Sequence, residues 1–305
     1  MPQLRESFRR LRKAIKARLP YVRRREYRIL ADRHAALIAA FTGHARPATE
    51  AAVLTLKPIE ATLSGEVCVF VTHATTAELK PHVKAYLIAL ADQGFAVVLV
   101  ANTDLDRGAI RLDPSLLDRL DGCLVRENVG FDFGGWGHAY ALGEGFARCS
   151  RLLLVNDSMI GPLDGSAFAA LVRRLRESHV DVVGLTENRT PQRHLQSYFL
   201  SFGPRALRSE AFRRAFAGMH ALPTKELVID AYETALTPLL ERGGLATDAL
   251  FPPRYDAPGS GDDTLTYWRE LIDAGFPFVK ASLLRSERHA AAVRERIPPA
   301  LLPPA

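Results

Sequence analysis

Between residues 66 and 156, short continuous apolar runs alternate with stretches of helical period. The runs 66–73 (EVCVFVTH), 96–102 (AVVLVAN), 122–126 (GCLVR) and 151–156 (RLLLVN) are apolar without strict alternation, the mark of strands buried on both faces. Between them the pattern predicts a helix over 79–93 stopped by Gly94, a short helix over 114–120 and a third over 135–147. Strands and helices in this order predict an α/β fold, a mixed but mostly parallel Rossmann-type sheet with helices on both faces. Further on, 181–186 and 197–202 read as strands, the second patterned less cleanly and suited to an antiparallel place. The segment 278–284 reads as a last strand or an irregular return.

Ahead of the sheet, Leu4, Phe8, Leu11, Ile15 and Leu19 recur at helical spacing, and Pro20 ends the pattern. Arg5, Arg9, Arg10, Arg12, Lys13 and Lys16 fill other positions. This predicts a basic amphipathic appendage over 1–45, followed by a linker over 46–64, one domain over 65–290 and a Pro-rich tail over 291–305.

Charge sharpens that division. The net +6 is an average: residues 1–28 carry eleven Lys and Arg against Glu6 and Glu26, a local +9, and the remainder sums to −3. A nucleic-acid-binding body would spread basic charge over its main face, so no nucleic-acid partner is expected. The basic helix suits an anionic membrane surface through residues 1–28, each cation contributing about 1 kcal/mol there; a helix packed on the domain with a solvated basic face is the alternative. No apolar run reaches the ~18 residues of a membrane span, and the first twenty residues are too charged for a secretory signal. A cytoplasmic protein, peripheral at the inner face of the membrane, is the expectation. Cys68, Cys123 and Cys149 are odd in number and lack C-x-x-C spacing, which predicts reduced core thiols.

In open α/β sheets ligands bind beyond the carboxyl ends of the strands. That edge carries Thr72 and His73, then residues 102–104 with Asp104, residues 127–132, and Asn156, Asp157 and Ser158. The sequence has no G-x-x-x-x-G-K-[ST], no G-x-G-x-x-G after a first strand and no G-x-S-x-G, which argues against P-loop kinases, nicotinamide dehydrogenases and serine hydrolases. Instead the run RENVGFDFGG over 126–135 puts Asn128, Asp132 and three glycines, Gly130 among them, between a strand and a helix, where backbone can approach a ligand closely. Asp157 follows a buried strand and is a hard oxygen donor suited to Mg²⁺ or Mn²⁺. Either segment also has a plainer reading, as a tight turn and as a helix cap.

The segment 127–162, ENVGFDFGGWGHAYALGEGFARCSRLLLVNDSMIGP, resembles the N-x-G, helix, strand-N-D-[ST] region of GT-A-fold family 2 glycosyltransferases, and more narrowly the rhamnan synthesis protein F family. HLQSYFL over 194–200 and DTLTYW over 263–268, with GFPFVK over 275–280, strengthen the resemblance, which runs over about residues 66–286. It implies a GT-A-like sheet, a nucleotide-sugar donor, and a glycan or lipid-linked acceptor, with rhamnose or another deoxyhexose as the sugar. Thr72, His73 and Asp104 would then contact base and ribose. Asn128, Gly130, Asp132, Asn156 and Ser158 would line the diphosphate–sugar pocket, and Asp157 would take the metal-binding place. His194 and Gln196 would lie on the acceptor side. Asn156-Asp157-Ser158 offers one acid where the GT-A metal motif usually offers two, and Phe131 stands where relatives often carry a basic residue.

Sugar transfer needs stabilisation of the leaving diphosphate and removal of the acceptor hydroxyl's proton. Asp262 and Asp263 precede an amphipathic helix in a late loop, where family 2 enzymes hold the inverting base; Asp263 is favoured, Asp262 second. An Asp-Asp-Thr run is equally a good N-cap. Two rival functions share these residues: a nucleotide-sugar-binding assembly subunit without turnover, and a metal-assisted nucleotide-diphosphate hydrolase.

Overall fold

A computed structural model describes residues 45–61, 63–253 and 262–302. The basic helix expected at the N-terminus and residues 254–261 ahead of Asp262 lie outside the described residues. The domain is built on one eight-stranded sheet: β1 (Val53–Lys57), β2 (Glu66–Ala74), β3 (Ala96–Thr103), β4 (Gly122–Glu127), β5 (Arg151–Asn156), β6 (Val182–Gly184), β7 (Phe199–Phe202) and β8 (Thr247–Ala249). Their spatial order is β1-β4-β3-β2-β5-β7-β6-β8. The central β4-β3-β2-β5 are mutually parallel, β8 runs parallel to β6, and β1 and β7 are antiparallel to their neighbours. The antiparallel place of β7 agrees with its patterning.

The chain leaves β2 towards β3 and β4, then returns across the sheet to place β5 on β2's other side. β2 and β5 therefore flank the point where strand order reverses, the place at which open α/β sheets bind ligands. Helices α1 (Pro81–Asp92) and α4 (Gly165–Glu177) cover the face bearing Cys68 and Phe70. Val83, Leu87 and Leu90 of α1 are fully buried there, each contributing about 1.5–3 kcal/mol relative to exposure. Helix α2 (Pro114–Asp118) is a short connector, and α3 (Phe131–Leu142) packs on the opposite face against β2 and β3. All three cysteines are buried and unpaired; burial pushes the Cys123 thiol up to about 12.

Three expectations are corrected. Residues 46–64 are no linker: β1 within them extends the sheet, with Val53 opposite Arg126. The tail expected over 291–305 is folded as far as Leu302, with Val293, Ile297 and Leu301 buried in a second cluster beside Trp268 and Val279. Helix α3 begins at Phe131 rather than Gly135. Gly134 and Gly135 thus lie inside the helix, where a Cβ would meet the Val129 carbonyl oxygen at 2.8 Å and a Val71 methyl at 3.0 Å. Gly135 serves close helix–sheet packing and Gly134 close packing of the helix on the preceding turn, and only the turn at Asn128–Gly130 remains as the loop.

Candidate active site

Polar side chains gather where β2 and β5 end. Val71 pairs with Asn156 in the ladder, which brings Thr72 beside Asp157. Thr72 Oγ1 donates to Asp157 Oδ2 over 2.6 Å, and Lys80 Nζ reaches the same oxygen at 2.6 Å. Lys80 precedes Pro81, which occupies the first turn of α1 as proline favours. Thr72 is buried and the Asp157 side chain is 13% exposed. His82, one residue into α1, is 7% exposed, and its Nε2 finds no hydrogen-bond partner among the described residues. Burial holds its imidazole below the ordinary value, against the attraction of Asp157.

Across the β5 end, Asn156 Nδ2 donates to Asp132 Oδ2 at 2.7 Å, while its Oδ1 accepts from the Ser158 backbone N–H and hydroxyl at 3.0 and 2.6 Å. Burial first, then the negative charges of Asp157 and Glu233, raise the Asp132 carboxyl to about 7, with Lys225 and the Asn156 bond opposing. Glu233 ends a π-helical turn, Ile229–Glu233, a distortion common at functional sites. Its carboxylate accepts from the Ser197 hydroxyl and lies 3.7 Å from His194 Nε2. His194 is buried and donates from Nδ1 to the Gln192 carbonyl at 2.8 Å.

A separate cluster stands on the exposed side. His73 Nε2 and Asp104 Oδ2 are 2.9 Å apart, and Asn128 Nδ2 donates to both Asp104 oxygens at 3.1 and 2.9 Å. The turn carrying Asn128 is held from beneath by Arg126, which is fully buried. Its guanidinium donates to the carbonyls of Val129, Glu127 and Ala48 at 2.7, 3.1 and 3.0 Å and to Asn102 Oδ1 at 3.2 Å. Asn102 in turn donates to the Phe131 carbonyl at 3.1 Å. Gly130 at φ 74° and Phe131 at φ 53° make the left-handed corner; a Cβ at Gly130 would meet Ala221 Cα at 2.8 Å.

Asp262 is held elsewhere. It caps the short helix Asp263–Thr266 by accepting from the Thr264 N–H at 2.9 Å, and it pairs with Lys280. Burial alone would raise its carboxyl, but Lys280 and the hydrogen bonds from Thr264 and Gln196 hold it below the ordinary range. Gln196 Oε1 accepts from Thr186 at 2.6 Å, so Gln196 ties the segment after β6 to Asp262. Asp263 is buried at 5% exposure, one residue inside that helix.

The residues expected at the site thus fall into three groups: Thr72, Asp132, Asn156, Asp157 and Ser158; His73, Asp104 and Asn128; and His194, Gln196, Asp262 and Asp263. Lys80, His82, Lys225, Glu233 and Arg126 were not among the expected residues. Lys80-Pro81 ahead of a helix was a readable signal for the first; Glu233 reaches the site from an element with no motif. A divalent ion does not suit this donor set. Asp157 already compensates an ammonium, Asn156 and Ser158 bond one another, and among the described residues no group of three or more His, Cys, Asp or Glu side chains could hold a metal.

Comparison with known proteins agrees with the resemblance read from the motifs. The chain is 28% identical over 228 residues to the virulence protein VirA of Vibrio anguillarum, spanning 64% of this chain and 71% of that protein. It is 29% identical over 170 residues to the uncharacterized protein y4gN of Sinorhizobium fredii, spanning 54% of this chain and 43% of that one. Among solved structures it is similar to the mannosyltransferase PcManGT from Pyrobaculum calidifontis in complex with GDP-Man and Mn²⁺, at 14% identity and a TM-score of 0.38, covering 90% of this chain and 77% of that one. The profile of rhamnan synthesis protein F matches residues 97–297, from β3 through the helix Ala290–Arg296, and the chain belongs to the rhamnan synthesis protein F family.

Proposed function

We propose that this protein is a glycosyltransferase that moves a sugar, rhamnose or another deoxyhexose, from a nucleotide-sugar donor to a cell-surface polysaccharide or lipid-linked glycan with inversion. One observation carries the reading: Thr72, Lys80, Asp132, Asn156 and Asp157 converge at the reversal point between β2 and β5. Membership of the rhamnan synthesis protein F family supports it. The nucleoside is proposed to lie over His73, Asp104 and Asn128, whose ring and amide edges suit base and ribose. The diphosphate lies towards Thr72 and Lys80, and the acceptor enters from the side of His194, Gln196 and Glu233.

In the transfer, the acceptor hydroxyl oxygen forms a bond to the anomeric carbon as the bond from that carbon to the phosphate oxygen breaks. The nucleoside diphosphate departs with the electron pair, and the hydroxyl proton passes to a carboxylate. Asp132 suits that role because its carboxyl titrates near 7, where a base is effective at neutral pH. The family resemblance names Asp263 as its rival. Asp262, already committed to Lys280 and Thr264, suits a holding role. The protein is proposed to work at the inner face of the cell membrane through residues 1–28.

A panel of uridine, thymidine and guanosine diphosphate sugars, assayed for transfer to lipid-linked glycan acceptors, tests the reading. Donor-dependent glycan extension is expected. Donor binding without transfer would make the protein an assembly subunit, and donor hydrolysis alone would make it a hydrolase.

A further inference from the structure

We infer that the donor's diphosphate is bound here without a divalent cation, the Lys80 ammonium supplying the positive charge that a metal would otherwise bring; the inference rests on the transferase reading above. Asp157, the acid at the strand end, is the group through which a metal would have to enter. Its Oδ2 already accepts from Lys80 and Thr72, both at 2.6 Å. A divalent ion at that oxygen would have to displace the ammonium, and the adjacent Asn156 is bonded to both Ser158 and Asp132 rather than free to complete a shell. Mg²⁺ is commonly held by one or two carboxylates together with substrate phosphates, and here both carboxylates of the corner are engaged, Asp157 by Lys80 and Thr72 and Asp132 by Asn156.

The same corner is suited to phosphate directly. Lys80 is 37% exposed along its side chain, so its ammonium can face a ligand while Asp157 orients it from behind. It sits at the start of the twelve-residue helix α1, where the backbone dipole favours negative charge. A second observation marks the same corner independently: the buried His82 Nε2 lacks any partner among the described residues, and a buried polar atom without one is costly unless a ligand or water completes it. An ammonium acting as a point charge is an established way to bind phosphate.

Isothermal titration of the full chain with UDP, GDP and dTDP, in EDTA and then with Mn²⁺ or Mg²⁺, decides the matter. At least one nucleoside diphosphate should bind with the same affinity, within about twofold, in chelator and in metal. Lys80→Met should weaken that binding at least tenfold, a loss that added Mn²⁺ does not restore, and Lys80→Arg should retain most of it. Thermal unfolding of each variant guards against misfolding, and Lys80→Met with Asp157→Asn removes the unpaired buried acid as a cause. Binding that vanishes in EDTA and returns with metal overturns this inference alone. Wild-type affinity in a folded Lys80→Met protein overturns it too. Failure of every nucleoside diphosphate to bind, with and without metal, overturns the transferase reading and this inference together.

Discussion

Asn156 donates from Nδ2 to Asp132 Oδ2 across 2.7 Å, tying the end of β5 to the first turn of α3. The bond fixes a carboxyl beside Asp157 and within the field of Glu233, two negative neighbours that, after burial itself, raise Asp132 to about 7.

An acid raised from 3.8 to about 7 binds its proton on folding between those values. Its contribution to stability is full below the lower value and is lost as pH rises through the upper one. Asp132→Asn should therefore raise the unfolding midpoint at pH 8 relative to wild type, by about 2–4 °C per kcal/mol recovered, and change it far less near pH 4. Differential scanning fluorimetry across that range reads the effect; an equal shift at both ends rejects the assigned titration. As the proton acceptor, Asp132 should also make wild-type turnover climb with pH through about 7.

Asp132→Asn and Asp263→Asn separate the two candidate bases. Loss of the true base should lower turnover by about 10²–10⁴ with donor affinity intact. We expect that loss at 132 and less than about tenfold at 263. The opposite pattern in single-turnover assays would transfer the role to Asp263. Asp262→Ala should instead cost about 0.5–2 kcal/mol through the lost cap, with a further loss from the unpaired Lys280.

Arg126 should be a stability residue. Removing its guanidinium leaves the Val129 carbonyl and Asn102 Oδ1 without that donor and takes one of two donors from the Glu127 and Ala48 carbonyls, each buried acceptor left unmade costing about 1–3 kcal/mol. Arg126→Met should lower stability in urea by at least about 3 kcal/mol. Lys should rescue it poorly, because an ammonium cannot reproduce the planar fork. A urea midpoint unchanged in either variant would contradict this account of the turn.

Residues 1–44 are expected to carry the membrane contact. A chain starting at Ala45 keeps Arg46, which pairs with Glu127, and should fold while losing affinity for vesicles rich in anionic lipid. Wild-type binding should weaken with salt as the electrostatic attraction is screened. Equal vesicle binding by both chains, insensitive to salt, would remove the basic helix from that role.

The order of the central elements and the edge where polar side chains gather were legible in the sequence because each depends on local pattern. Continuous apolar runs such as RLLLVN satisfy burial on both faces only in the middle of a covered sheet, and Asn156-Asp157-Ser158 follows one such run directly. The family motif was legible for the same reason, since its residues are contiguous. Pairing across the chain was not. Nothing local to Lys80 or Asp157, 77 residues apart, states that the ammonium meets the acid; the parallel register of β2 and β5 decides it. The glycines at 134 and 135 read as part of the loop because glycine lowers helix propensity, yet the close approach of α3 to the Val129 carbonyl and to Val71 overrides that preference. β1 escaped notice because an edge strand buries little and so needs little apolar pattern, and its place follows from hydrogen bonding to β4. Glu233 entered the site from a helix far along the chain, where only packing could bring its charge to bear on Asp132. Sequence thus determined the central strands of the sheet and the edge at which polar side chains gather, and tertiary structure decided which charges face one another there, because electrostatic partnership depends on distance in space rather than distance along the chain.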